Sequence, residues 1–203
     1  MKDMTKASNP FYLAFFLLVV CGVSTLVMAV TAVKTDEPIR ISQAKETADS
    51  LKMILPAFDN DPASETVDIK SPDGAPVKLY VAKKDGVVVG YAAEAAAAGF
   101  GGQVAGLVSF TPDGTIGTVI VKSGHAETPG IGTKVTDRSV KRTISDVVKG
   151  VKPGDAKWTK EKDAVHFVSG ATYSSNAVCD LVWAAATAVR DYLAAPAEKK
   201  EEN

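Results

Sequence analysis

Residues 169–175, Ser169-Gly170-Ala171-Thr172-Tyr173-Ser174-Ser175, place aliphatic hydroxyls and small residues where a strand-like run, 164–168, gives way to a helical pattern. The helical pattern is expected to run from about Asn176 to Ala195. A small turn that brings hydroxyls and backbone N–H groups to a helix N-terminus can bind an anion, because those N–H groups have no partner within the helix. The hydroxyls of Thr172, Ser174 and Ser175 can also carry a phosphate covalently. Local physics leaves a second reading open: a capped helix start whose small residues allow close packing.

A second group is His125-Ala126-Glu127-Thr128-Pro129-Gly130-Ile131-Gly132-Thr133-Lys134. Pro129 stiffens this loop, and Gly130 and Gly132 permit backbone angles closed to other residues. It reads either as a rigid turn after a strand or as a loop laid against a ligand. His125 and Glu127 stand close, but no nucleophile accompanies them, and no Ser-His-Asp arrangement argues for hydrolysis. The two histidines, His125 and His166, have no cysteine at ligand spacing, so no zinc site is expected. Cys21 and Cys179 are the two cysteines, the first inside an apolar run, and no disulfide is expected between them. The chain carries no dinucleotide fingerprint and no iron–sulfur cysteine pattern. Its formal net charge is −1, without a basic stripe, which argues against a nucleic-acid partner.

The elements that must position these groups follow from periodicity. Phe11 to Val33 is free of charge and long enough to cross a bilayer as a helix. Val30-Thr31-Ala32 is a poor cleavage site and Val20 precedes Cys21, so an uncleaved anchor is expected rather than a signal peptide or lipoprotein leader. Lys2 and Lys6 precede the span, and Lys34 is followed by Asp36 and Glu37, which places residues 1–10 on the cytoplasmic side. The rest of the chain is then expected outside.

Ile39 to Leu55 reads as a connecting helix with Ile41, Ala44, Ala48, Leu51 and Leu55 on one face, Ser42 as its N-cap and Pro56 as its stop. Residues 60–71 read as a polar loop. Val77, Leu79 and Val81 then alternate with polar residues, and Asp85-Gly86 separates them from Val87 to Tyr91, which is a hairpin signal. Val104 to Phe110 and Thr115 to Val121 flank Pro112-Asp113-Gly114 as a second hairpin. A helix over 136–148 follows, capped by Asp137, with Gly150 beyond its end. After a connection over 151–160 come the short strand 164–168 and the last helix, whose Val178, Val182, Ala185 and Val189 share a face. Trp158 and Trp183 read as packing residues. The expected fold class is α+β: an N-terminal transmembrane helix (11–33), a connector and loop (34–76), an antiparallel-sheet domain with flanking helices (77–195), and a polar tail (196–203).

Three segments in order carry a resemblance. Ser169-Gly170-Ala171-Thr172 with Tyr173-Ser174-Ser175-Asn176-Ala177-Val178 resembles the flavinylation motif of the FMN-binding domain family. Glu127-Thr128-Pro129-Gly130-Ile131-Gly132 resembles that family's loop close to the flavin. Gly99-Phe100-Gly101-Gly102-Gln103-Val104 resembles the glycine-rich segment leading into its next strand. The resemblance implies FMN joined through its phosphate to the Thr172 hydroxyl as a phosphoester. It implies Ser169, Gly170, Ala171, Tyr173 and Ser174 around the attachment, and Glu127, Thr128, Pro129 and Gly130 against the ring. Tyr173 then packs on the flavin chain, or alternatively in the core of the first helical turn. The family usually carries an aspartate six residues before the modified threonine, where this chain has His166.

With its anchor and length, the chain is similar to the G-subunit family of the Rnf complex, an ion-translocating ferredoxin:NAD oxidoreductase. The C-subunit family of the sodium-pumping NADH:quinone oxidoreductase shares the domain and is the close alternative. A tethered domain of this fold without flavin is the non-redox one. The implied function is an electron relay in the cytoplasmic membrane, the domain on the periplasmic or extracellular side. Its implied partners are the other membrane subunits of the Rnf complex, a flavin transferase and membrane lipid.

Overall fold

A charge-free run of apolar residues has one way to satisfy its backbone in lipid, which is to close every hydrogen bond within itself as a helix. In the computed structural model, which describes residues 10–122, 146, 148–153 and 172–195, that run lies in helix α1, Pro10–Ile54. From Phe11 to Val33 every residue is exposed, as a lipid-facing span requires, and at about 1.5 Å per residue the run exceeds the roughly 30 Å hydrocarbon layer. The chain divides into two units between Thr47 and Ala48.

The connecting helix expected to begin near Ile39 is not separate. α1 continues through Pro38, and Ser42 lies inside it rather than at a cap. Proline removes one backbone donor and crowds the preceding turn, yet here the helix on either side is already established. In the turns before it, the Thr31 hydroxyl donates to the Val27 carbonyl at 2.8 Å, and the Thr35 hydroxyl to the Thr31 carbonyl at 2.7 Å. Of the face expected to be apolar and packed, Ile41 and Ala44 are exposed, while Leu51 and Leu55 are buried.

The second unit is built on a five-stranded antiparallel meander in the order β1-β2-β3-β4-β5. The strands are β1 (Thr66–Lys70), β2 (Pro76–Lys84), β3 (Val87–Ala98), β4 (Gln103–Phe110) and β5 (Ile116–Val121). Both expected hairpins are present. Asp85 and Gly86 take φ of 51° and 77°, the left-handed pair that a tight two-residue turn demands. β1 corrects the expected loop: Thr-Val-Asp-Ile-Lys alternates, and Val67 pairs with Leu79 and Ile69 with Val77. Ahead of β1, the Asn60 side chain donates to the Val81 carbonyl and accepts from the Lys83 N–H, tying that segment to β2.

Helix α2 (Thr172–Ala194) covers one face of the sheet. Ala177, Val178, Leu181, Val182, Ala185 and Val189 share a core with Val77, Leu79, Ala93, Val104 and Val108. A Cβ at Gly106 would stand 3.0 Å from the Ile120 carbonyl oxygen and 3.1 Å from Leu181 Cδ1, so the missing side chain is what lets α2 seat against β4 and β5. On the other face Leu51 and Leu55 pack with Tyr80, Ala82, Ala92 and Leu107. Because both faces are covered, Tyr80 and Ala82 are buried as well as Val77 and Leu79, and the simple alternation expected for β2 is lost. Cys21 and Cys179 are both free thiols, and Trp183 is partly buried against the α2 core. The expected strand over 164–168, most of the helix over 136–148, Trp158 and the polar tail lie outside the described residues.

Candidate cofactor site at the start of the last helix

α2 begins at Thr172, four residues ahead of the expected start. The candidate acceptor is therefore in the first helical turn and not in a turn before it. The N–H groups of that turn have no acceptor within the helix, and the positive end of the helix dipole lies there. Burial sorts the hydroxyls that follow. Ser174 and Ser175 are 2% and 0% exposed, which makes them poor acceptors for a transferase. The buried Ser175 hydroxyl has no hydrogen-bond partner among the described residues. A buried polar atom left in this condition is costly, and one in the first turn of a helix suits a site that takes an anion.

Tyr173 is 71% exposed, so the alternative that placed it in the core of the first turn does not hold. Its ring meets Phe100, with centroids 6.2 Å apart and planes tilted by 51°. Phe100 is itself 71% exposed. It sits in the turn between β3 and β4, where the Gly99 N–H donates to the Gly102 carbonyl at 2.7 Å and Ala98 pairs with Gln103. The turn over 99–102 and the first turn of α2 thus meet through Phe100 and Tyr173. Phe100 is the site candidate that sequence reasoning passed over. Its signal was a large aromatic set among glycines, where a turn needs none.

Ser169, Gly170, Ala171, His166 and the whole 125–134 loop with Glu127, Thr128, Pro129 and Gly130 lie outside the described residues. Lys122 is the last residue described before that loop. Its N–H extends the β4–β5 ladder to the Ala105 carbonyl, and its ammonium donates to Glu94 Oε1 at 2.5 Å. The Tyr80 hydroxyl donates to Glu94 Oε2 at 2.6 Å, so a carboxylate in an alanine-rich strand joins a tyrosine to a lysine. Burial, then the hydrogen bond to Glu94 and the charges of Glu94 and Asp68, hold the Tyr80 phenol well above its usual range. In the β4–β5 turn, the Thr111 hydroxyl, Lys152 and the Thr115 hydroxyl hold the Asp113 carboxyl well below the usual carboxylate range. That cluster is exposed and far in register from the α2 tip; it fastens a turn.

An exposed aromatic pair beside a helix N-terminus that holds an orphaned buried hydroxyl fits a ligand that joins a flat ring to a phosphate. The FMN-binding domain profile matches residues 99–187, a span that starts at the Phe100 turn and ends within α2. The G subunit of the ion-translocating oxidoreductase complex of Cereibacter sphaeroides is 32% identical over 182 residues, covering 84% of this chain and 80% of that protein. Its namesake from Methanosarcina acetivorans is 33% identical over 184 residues, covering 88% and 92%. The G subunit of the Na(+)-translocating ferredoxin:NAD(+) oxidoreductase complex of Acetobacterium woodii is 30% identical over 187 residues, covering 83% and 86%. With an FMN-binding domain and an apolar N-terminal helix in one chain, and with identity that runs over most of both partners, the protein belongs to the G-subunit family of ion-translocating oxidoreductase complexes.

Proposed function

We infer that this chain relays electrons as the membrane-anchored flavoprotein subunit of an Rnf-type ferredoxin:NAD oxidoreductase, with FMN held covalently on Thr172. The observation that carries the finer part is that Thr172, which follows Ser169-Gly170-Ala171 in the sequence, is the first residue of α2. FMN, when bound, supplies the electron-carrying chemistry; the protein's share is position and local charge. The first-turn N–H groups and the helix dipole favour the phosphodiester anion left after attachment. Ser169 donates or accepts at that phosphate, and Gly170 and Ala171 leave room for the chain that leads to the ring. Glu127, Thr128, Pro129 and Gly130 form the loop that faces the ring. A covalent link holds the cofactor at a high effective concentration outside the cytoplasm, where a dissociated flavin is lost.

The same reading assigns residues 11–33 to the lipid and the sheet domain to the periplasmic or extracellular side. It assigns the other Rnf membrane subunits as electron partners and a flavin transferase as the maturing enzyme. The test is attachment itself. The full chain, coexpressed with a flavin transferase, retains flavin fluorescence after denaturation, and peptide mass spectrometry finds the FMN increment on Thr172. Thr172→Ala keeps the fold and shows neither. Undiminished covalent flavin in Thr172→Ala, or an increment on Ser174 or Ser175, overturns the assignment.

A further inference from the structure

β3 carries one charged side chain, Glu94, in the run from Ala92 to Ala98 that is otherwise all alanine. In register it stands beside Lys78 of β2 and Leu107 of β4. Its carboxylate reaches diagonally to the Tyr80 hydroxyl at 2.6 Å, and across β4 to the Lys122 ammonium at 2.5 Å. The Lys122 N–H donates to the Ala105 carbonyl of β4, so this lysine is held twice, by its main chain and by its side chain. Tyr80 is buried in the cluster with Leu51 and Leu55, which roots the other end of the network in the core. An ion pair whose side chains are both largely buried adds little stability over apolar residues of the same volume, because lost hydration offsets the attraction. Hydrogen-bonded charges do fix direction, which apolar packing does not, and a network of them rigidifies its surroundings. The place being fixed is the end of β5: Lys122 follows its last residue, and Glu127 comes five residues later.

We propose that Glu94 is a positioning residue of the cofactor site: by clamping Lys122 it fixes where the chain leaves β5, and so how the loop with Glu127, Thr128, Pro129 and Gly130 meets the flavin. The proposal rests on the reading that this loop faces the ring. Glu94 acts through Lys122 and not on the flavin itself. The clamp narrows the directions in which the chain can leave the sheet, which lowers the entropy cost of holding the loop against a ligand. Without it the loop meets the ring in a wider range of poses. The competing account is charge acting through space, and it has a different signature. A lost carboxylate raises a flavin potential and a lost ammonium lowers it, because negative charge opposes the arriving electron. Loss of a clamp has one sign, whichever partner is removed.

The experiment uses the full chain, coexpressed with a flavin transferase and purified in detergent, beside Glu94→Gln, Lys122→Met, their double variant and Thr128→Val. Covalent loading is read first, as FMN mass on the Thr172 peptide. The flavin midpoint potential and the visible circular dichroism that surrounding groups induce in the flat ring are then read per bound flavin, well below each melting temperature. Glu94→Gln and Lys122→Met should shift the potential in the same direction and weaken the dichroism to a similar extent. The double variant should match either single one, since a clamp is lost only once. It removes both charges together, so it keeps the comparison open if a single variant folds poorly. Opposite shifts in the two single variants, or a double variant with the parent's potential and dichroism, overturn the proposal. So do variants that differ from the parent in melting temperature alone. Thr128→Val changes the loop and leaves the clamp in place. A shift there, with none in the clamp variants, overturns the positioning role and leaves the loop at the ring. No shift in Thr128→Val overturns the loop's place at the ring, and the proposal with it. A parent without flavin overturns the functional reading on which both depend.

Discussion

Glu94 is the residue whose chemistry reaches furthest into the fold outside the cofactor site. Its two carboxylate oxygens accept from the Tyr80 hydroxyl and the Lys122 ammonium, and Lys122 leads directly into the loop that carries Glu127. Side chains of Lys122 and Glu94 are only 13% and 26% exposed, so solvent replaces this carboxylate poorly. Glu94→Gln is expected to lower stability by about 1–3 kcal/mol, since it replaces a largely buried carboxylate that accepts from both Tyr80 and Lys122 with a neutral amide. A shift of the urea midpoint at unchanged m-value checks it. Tyr80 adds a pH signature. Its folded-state pKa is raised, so its contribution is complete below the unfolded-state value, near pH 10, and is lost as pH rises above it. From about pH 9.5 to pH 11 the parent's urea midpoint should therefore fall more steeply than that of Tyr80→Phe. The phenylalanine variant starts lower, by about 1 kcal/mol, because the hydrogen bond is gone at every pH. Equal slopes would assign the alkaline loss to other groups.

At the scale of elements, the decisive contact is α2 on β4. Leu181 is fully buried and lies over Gly106, where an added methyl meets the Ile120 carbonyl at 3.0 Å. It also meets Leu181 Cδ1 of α2 at 3.1 Å, and relief on that side displaces α2. Gly106→Ala is expected to cost about 1–3 kcal/mol by overpacking. Because α2 carries both Thr172 and Tyr173, the displacement should also reach the cofactor site. A lower melting temperature together with a smaller fraction of the Thr172 peptide carrying the FMN increment is the expected pair of results. Lower stability with unchanged loading would mean that the α2 tip is held independently of its middle.

At the scale of the whole chain, one helix among the described residues is long and apolar enough to cross a membrane, and none of its apolar window is buried. An uncleaved anchor predicts an intact mass that includes residues 1–33 in protein extracted from membranes. Orientation predicts that protease added outside intact spheroplasts removes the sheet domain. A mature N-terminus near Ala32, or a domain protected until the membrane is broken, would reverse the respective reading. The Lys2 and Lys6 side makes the margin a small one, so adding two lysines directly after Val33 should lower the fraction of protein with the domain outside.

Features that depend on neighbours in the chain were legible from the sequence. The apolar run of α1, the Asp85-Gly86 turn, the Pro112-Asp113-Gly114 turn and the helical face of Val178, Val182, Ala185 and Val189 follow from period and turn chemistry, and the structure has each of them. The motifs at 99–104 and 169–178 were legible too, as residue types in order. Features that depend on what lies opposite were not. Val67 and Ile69 read as part of a polar loop until β2 pairs with them. Pro38 and Ser42 read as a break and a cap, because local preference cannot register a helix already running through them. Tyr173 stays undecided between core and surface, since one residue of a first helical turn faces whichever way the packing of α2 turns it. Only the sheet, by bringing the β3–β4 hairpin to the tip of α2, placed Phe100 against Tyr173, two side chains about seventy residues apart. Sequence spacing encodes the local period of a segment; contact across such a separation is decided by which faces bury together.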